Sequence, residues 1–258
     1  MGKAGVLVIS HGSRSPHWVR LVDEAVQAVR RPSDVPICSA FLEIVEGRLI
    51  QDGIDSLERQ GVTELLVLPL FVSSGSTHLD EIQYAFGLRD QPTLETELEP
   101  FRLDARVWFG GTLDEDADTV ARMLMDQLQP LSHRPEREKV LVIGHGSAEE
   151  GFHERWRQGL DRIAGRLQAL GGFARAEGAM LLPDEAAEQL ARLSGDGSGE
   201  GVLVAPLFLS EGYFTEQVIP QRLTGQEYRY NGRAMLPHPL ITGWMERQLA
   251  DGLRTVTR

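Results

Sequence analysis

"VLVISHGSR" occupies residues 6–14 and "VLVIGHGSA" occupies residues 140–148. In each, an unbroken apolar run leads straight into His-Gly-Ser, the pattern of a strand buried on both faces that ends in a tight turn. A second pair follows in the same order, "LVLPLFVSSG" at 66–75 and "LVAPLFLSEG" at 203–212. The offsets are 134 and 137 residues, so one domain occurs twice.

Working outward from these strands, each copy reads as four strands alternating with four helices. In the first copy, strands near 5–10, 35–42, 64–71 and 105–109 alternate with amphipathic stretches such as "GRLIQDGIDSLERQG". In the second, strands near 139–144, 173–181, 201–208 and 232–236 alternate with stretches such as "HERWRQGLDRIAGRLQAL". The expected fold is α/β: two similar domains, 1–131 and 139–258, each a mostly parallel four-stranded sheet flanked by helices, facing each other across a cleft. They join at "LSHRPEREK", residues 131–139, which is charged and lacks an apolar period. "RDQPTLETELEP" (89–100) and "SGDGSGEG" (194–201) read as loops, the first long enough to be a lid.

Composition narrows the function. The 258 residues carry a formal charge of −12, which excludes a general nucleic-acid or anionic-membrane binder because those need a basic surface. The single cysteine, Cys38, permits no internal disulfide, and the chain does not open on a signal sequence, so a cytoplasmic location is expected. The longest apolar runs, "LLVLPLFV" and "VLVAPLFL", are eight residues each, too short to span a membrane.

Ligands of open parallel sheets sit beyond the carboxyl ends of the strands. There the first copy delivers His11 after its first strand, Glu43 after its second and His78 after its third. Two imidazoles and a carboxylate make a plausible ligand set for a first-row transition metal. Each residue also has a plainer reading. A histidine before Gly-Ser can cap a turn, Glu43 with Glu46 can open the next helix, and His78 with Asp80 and Glu81 can be a solvated helix start. Arg14 is either an anion clamp or an exposed ion-pair partner. His17, His133, His153 and His238 have ordinary helix or loop surroundings. The second copy keeps His145, but alignment on Ala40 and Ala179 sets Leu182 opposite Glu43. Alignment on the loop glycines sets Thr215 opposite His78, and Ala148 stands where Arg14 does.

"HGSR" after the first strand, "FLE" ending the second and "PLFVSSGSTHLDEI" after the third resemble the class II tetrapyrrole chelatases, the sirohydrochlorin cobaltochelatase and ferrochelatase family. The resemblance covers both halves and is best at the strand ends of the first. It implies insertion of a divalent metal, Co2+, Fe2+ or Ni2+, into sirohydrochlorin or a related tetrapyrrole of siroheme or cobalamin biosynthesis. It makes His11 and His78 the catalytic and metal-handling histidines, with Glu43 assisting. Gly12, Ser13, Arg14, Ser73, Gly75, His145 and Phe214 would contact the substrate. One spacing departs from the family: its second histidine stands two residues after the loop glycine, whereas His78 stands three after Gly75. Phe214, two after Gly212, holds the family position in the second copy. A one-residue slip on a helix rotates a side chain by about 100°.

Metal insertion asks for loosely held metal, a base for two pyrrole N–H protons and walls that bend the macrocycle. Histidine can ligate and accept a proton near neutral pH, and thiolates, which would hold the ion too tightly, are absent from the set. A polycarboxylated substrate requires basic groups on an acidic protein; Arg14 is best placed, Arg48 and Arg89 less so. The metal is then a substrate, no organic cofactor is expected, and the drift of the second copy implies one site per chain; a fused pair of domains favours a monomer and leaves a homo-oligomer open. The rival is a non-enzymatic carrier of metal or tetrapyrrole. A histidine phosphatase would need arginine where Ser10 and Gly144 stand, and a serine hydrolase a Gly-x-Ser-x-Gly turn that the sequence lacks.

Overall fold

The structure is a computed structural model that describes residues 2–195 and 201–256. Residues 196–200, within the expected 194–201 loop, lie outside the described residues. Two compact units emerge, each built on a parallel sheet.

In the first unit β1 (Ala4–Ser10), β2 (Ile37–Phe41), β3 (Glu64–Pro69) and β4 (Arg106–Phe109) form a four-stranded parallel sheet in the order β2-β1-β3-β4. Alternation decides which side chains go where. Leu7, Ile9, Leu65 and Val67 meet Ile50, Ile54 and Leu57 of α2 (Ile50–Arg59) and Leu79 and Ile82 of α3 (Thr77–Ala85). Each such side chain contributes about 1.5–3 kcal/mol on burial. The opposite face receives α8 (Pro239–Val256), where Gly252 lets the helix approach Leu66 and Trp108; a Cβ there would lie 2.9 Å from the Trp108 ring. α1 (Pro16–Gln27) starts on Ser15, whose hydroxyl accepts the Trp18 N–H at 3.3 Å, with proline in the first turn.

In the second unit β5 (Lys139–Gly146), β6 (Arg175–Leu182) and β7 (Val202–Pro206) form a parallel sheet in the order β6-β5-β7. The fourth strand expected near 232–236 does not form. Arg229 makes one bridge to Leu203, after which Asn231-Gly232, with Gly232 at φ +71°, turns the chain away. Among the described residues, Met235 N–H to the Phe208 carbonyl and Leu236 N–H to the Leu209 carbonyl then hold this stretch to the segment just past β7. An Asn-Gly pair is a turn signal, and here it outweighs the apolar residues that follow it.

The units cut across the sequence halves. The first comprises Met1–Phe71, Thr77–Thr112 and His238–Arg258, and the second Val72–Ser76 and Leu113–Pro237. Thus α4 (Ala117–Leu128), which ends the first half of the chain, packs on α5 (Phe152–Gly171) and β7. Correspondingly α8, which ends the second half, covers β3, β1 and β4 and pairs with α1. There Glu246 accepts from Arg30 Nε and Nη2 at 3.0 Å each.

Residues 89–100 are irregular, as expected, and form a strap tethered to α3. Asp80, buried on α3, accepts from Arg89 and from the Thr93 N–H and hydroxyl at 2.6 and 2.8 Å. Further along, Leu98, Phe101 and Leu103 pack against the core. No helix among the described residues is long and apolar enough to cross a membrane.

Candidate active site

His11 leaves β1 through a turn that only glycine permits. Gly12 has φ +105°, and a Cβ there would stand 2.2 Å from the Glu43 carbonyl oxygen. That close approach sets β2's exit against β1's, and the Glu43 N–H donates to the His11 carbonyl at 3.2 Å. Ser13 completes the turn, its hydroxyl accepting the Ser15 N–H at 3.1 Å. Beyond Glu43 the chain reverses through Ile44, at φ +73°, with the Val45 N–H donating to the Glu43 carbonyl at 2.8 Å. A β-branched residue held there costs about 1–3 kcal/mol, strain that concentrates at the residue presenting Glu43.

Three side chains converge on this turn. The His11 and His78 rings meet edge to face with centroids 4.7 Å apart, and His11 Nε2 lies 3.5 Å from Glu43 Oε1. His11 Nδ1 faces the Gly12 carbonyl at 3.3 Å; a carbonyl only accepts, so in the neutral ring this contact favours the proton on Nδ1 and the lone pair on Nε2. His78 Nδ1 stands 2.7 Å from Glu81 Oε1, and the same reasoning leaves its Nε2 unprotonated. Burial pushes the Glu81 carboxyl up. Hydrogen bonds from His78 and Thr96, with the charges that His78 and His11 carry when protonated, outweigh that and hold it below its ordinary value. Among the described residues, no three His, Cys, Asp or Glu side chains already form a cage for a metal ion.

The extra residue before His78 is absorbed by the loop, so the rings meet despite the spacing. The same loop spends Ser73 and Gly75 on its own packing. Ser73, buried, donates to Asp114 Oδ2 at 3.2 Å and accepts the Gly75 N–H at 3.1 Å. A Cβ on Gly75 would lie 2.6 Å from the Trp156 ring. Both residues expected to contact the substrate are thus engaged within the protein.

Of the three arginines considered, Arg14 is exposed and makes no ion pair among the described residues. Arg48 is committed to Asp23 and Ser39, with its guanidinium 4.9 Å from the Phe41 ring centre, and Arg89 to Asp80.

The second half repeats the turn with different side chains. Gly146 has φ +82°, and its Cβ would stand 2.3 Å from the Leu182 carbonyl. Register pairs Ile9 with Ala40 and Ile143 with Ala179, so Leu182 is the counterpart of Glu43. His145 Nδ1 faces the Gly146 carbonyl at 3.0 Å, and its ring meets Phe214 edge to face at 5.0 Å. Phe214, and not Thr215, is therefore the counterpart of His78. Thr215 is buried with its hydroxyl on Gly212.

Glu81 and Thr96 are the site residues that sequence reasoning missed. The available signal was the spacing of His78 and Glu81, three apart at a helix start.

The CbiX family model matches residues 5–131 and again 139–252. A sirohydrochlorin cobaltochelatase of Methanothermobacter thermautotrophicus is 29% identical over 86 residues, 33% of this chain and 59% of the relative. One of Methanosarcina barkeri is 34% identical over 74 residues, 28% of this chain and 56% of the relative. The matched stretches thus span less than two thirds of the curated relatives' length. Among solved structures, SirB from Bacillus subtilis with Fe3+ shares the fold at a TM-score of 0.72 and 19% identity, over 97% of this chain and 95% of that one. The B. subtilis subspecies spizizenii enzyme in complex with cobalt gives 0.70 at 19% identity, with the same shares covered. With both halves matched in turn and the whole fold shared, the chain belongs to the CbiX family.

Proposed function

We propose that the protein is a chelatase that inserts a divalent metal, Co2+ or Fe2+ with Ni2+ as a third candidate, into sirohydrochlorin or a related tetrapyrrole. The observation that carries this is the meeting of two imidazoles, 4.7 Å apart, beside a carboxylate 3.5 Å from one of them at the carboxyl ends of parallel strands. The named activity of the archaeal relatives and the metals in the SirB structures support the same reading.

In this reading His11 Nε2 and His78 Nε2 bind the incoming ion, and Glu43 supplies an oxygen or takes up a proton. Donors that lie close without forming a closed cage suit an ion that has to be passed on. Two of the four macrocycle nitrogens that come to bind the metal carry N–H protons, so metal and free macrocycle give metallated macrocycle and two protons. His11 can accept a proton as its bond to the metal breaks, and Glu43, half exposed, can carry it to solvent. Arg14 binds a substrate carboxylate, and Gly12 and Ser13 shape the turn. The halves 1–131 and 139–258 are repeats of one ancestral domain, and the protein works as a cytoplasmic monomer.

The test is the initial rate of Co2+, Fe2+ and Ni2+ insertion into sirohydrochlorin against a protein-free control. A rate above the control is expected with at least one metal. Binding of metal or tetrapyrrole at the spontaneous insertion rate would make the protein a carrier.

A further inference from the structure

We propose that Glu81, itself held by Thr96 of the 89–103 strap, is a positioning residue that fixes the ring and tautomer of His78. The inference rests on the reading of His78 as a metal-handling residue and adds what orients it.

Both Glu81 oxygens are engaged. Oε1 lies 2.7 Å from His78 Nδ1, and Oε2 accepts from the Thr96 hydroxyl at 2.6 Å. Thr96 is fixed in turn, its oxygen accepting the Leu98 N–H at 3.0 Å. The strap is anchored on either side of Thr96. Upstream, Arg89 and Thr93 bind Asp80; downstream, Gln51 exchanges hydrogen bonds with the Arg102 backbone at 2.9 and 3.0 Å. Two neighbouring carboxylates on α3 thus divide the work. Asp80 fastens the strap, and Glu81 links the strap to the histidine.

A carboxylate only accepts, so Glu81 requires the proton on His78 Nδ1 and leaves Nε2 as the free donor atom. Such an outer carboxylate fixes the orientation of a ligating imidazole and makes it a better donor. The need is specific to this half. His78 follows Gly75 by three residues, sits in the first turn of α3 and, among the described residues, has only the edge of His11 for a ring neighbour. In the second half Phe214 is fixed by stacking on Phe208, with centroids 5.3 Å apart and planes 16° from parallel. Three residues beyond Phe214 stands exposed Gln217. The carboxylate accompanies the histidine and is absent where the ring is apolar.

The experiment is 15N NMR of the metal-free full chain above the titration range of histidine, paired with Co2+ titration followed by visible absorption. His78 is expected as the Nδ1–H tautomer in the unmodified protein and in Glu81→Gln, whose amide oxygen still accepts. In Glu81→Leu that preference should disappear. Co2+ affinity should fall by about 10- to 100-fold in Glu81→Leu and by about tenfold or less in Thr96→Val. If Glu81→Leu does not fold, Glu81→Gln carries the test, with Co2+ affinity between that of the unmodified protein and that expected for loss of the partner. An Nε2–H tautomer in the unmodified protein, or unchanged Co2+ affinity in a folded Glu81→Leu or Glu81→Gln variant, would overturn the inference. Absence of metal insertion by the unmodified protein would remove the proposed activity, whereas the tautomer is read without metal or substrate.

Discussion

The turn after β1 and the turn after β5 are built alike and furnished differently. In both, a glycine with positive φ brings its backbone against the carbonyl of the residue leaving the neighbouring strand. Each histidine turns Nδ1 to that glycine's carbonyl, and a ring at the start of the helix after the third strand of its half meets its imidazole edge. Around the first turn stand Arg14, Glu43, His78 and Glu81. Around the second, the same places hold Ala148, Leu182, Phe214 and Gln217. The difference separates two demands on one motif. Gly12 and Gly146 are kept because the backbone contact requires them, and that demand holds in both halves whatever the side chains do. His-Gly-Ser alone therefore marks a turn, and the chemistry lies in what the other strands bring to it.

The comparison breaks most readily at the histidines. His11→Ala and His78→Ala should each reduce metal insertion by about a hundredfold or more, the usual share of a proton-transferring or ligating group. His145→Ala should retain activity within about threefold. Initial rates of cobalt insertion, with thermal melts to confirm folding, measure this. Equal losses in His11→Ala and His145→Ala would mean that both halves supply catalytic groups.

Next come the glycines, where the two turns should respond alike. An alanine Cβ at either position meets a backbone carbonyl at 2.2 or 2.3 Å in a left-handed conformation. Gly12→Ala and Gly146→Ala should each cost about 2–4 kcal/mol, from strain plus the displacement of the neighbouring strand exit. Urea unfolding would show this. A cost confined to Gly12→Ala would tie that glycine to chemistry more than to packing.

Smaller effects are expected from the residues that surround His11. Glu43→Gln keeps the shape and loses the charge, and should lower the rate by about tenfold, the value of one charge-assisted contact. A larger loss than in His11→Ala would make Glu43 the principal ligand. Arg14→Ala should raise KM for a polycarboxylated tetrapyrrole by more than it lowers kcat, because a carboxylate clamp acts on ground and transition states alike. An unchanged KM would return Arg14 to the solvated surface.

What was legible in the sequence followed from periodicity. Unbroken runs such as Val6–Ile9 and Leu65–Leu68, alternating with amphipathic stretches, read as buried parallel strands, and their ends lined up His11, Glu43 and His78 without knowledge of any contact. The exchange of α4 and α8 between the compact units was not legible, because an amphipathic helix records that it has an apolar face and not which sheet receives it. Asp80 and Glu81 read as helix-start charges. Their work depends on Arg89, Thr93 and Thr96, which come from an irregular segment with no period to read. For His78 the sequence offers two counterparts, Thr215 by the loop glycines and Phe214 by the family spacing, and ring packing against His145 selects Phe214.

The smallest expected change in activity belongs to the substitution that sharpens the comparison most. Since Leu182 and Glu43 leave their strands over equivalent glycines, and Phe214 and His78 meet equivalent imidazoles at 5.0 and 4.7 Å, donors placed at 182 and 214 should start from the positions they hold in the first half. Leu182→Glu with Phe214→His should therefore add a second, weak Co2+ equivalent, with insertion of metal into sirohydrochlorin changed by less than about twofold. The new imidazole would lose the stack on Phe208 and have only exposed Gln217 three residues on, so its tautomer would be free. Adding Gln217→Glu should tighten the second equivalent, although by less than the Glu81 contact strengthens the first, because no strap threonine holds the new carboxylate. Equilibrium dialysis with Co2+ gives the stoichiometry and visible absorption the ligand environment. A triple variant that still binds a single equivalent would show that matching backbone positions do not suffice, and that the first site depends on the Thr96 anchor as much as on its three donors.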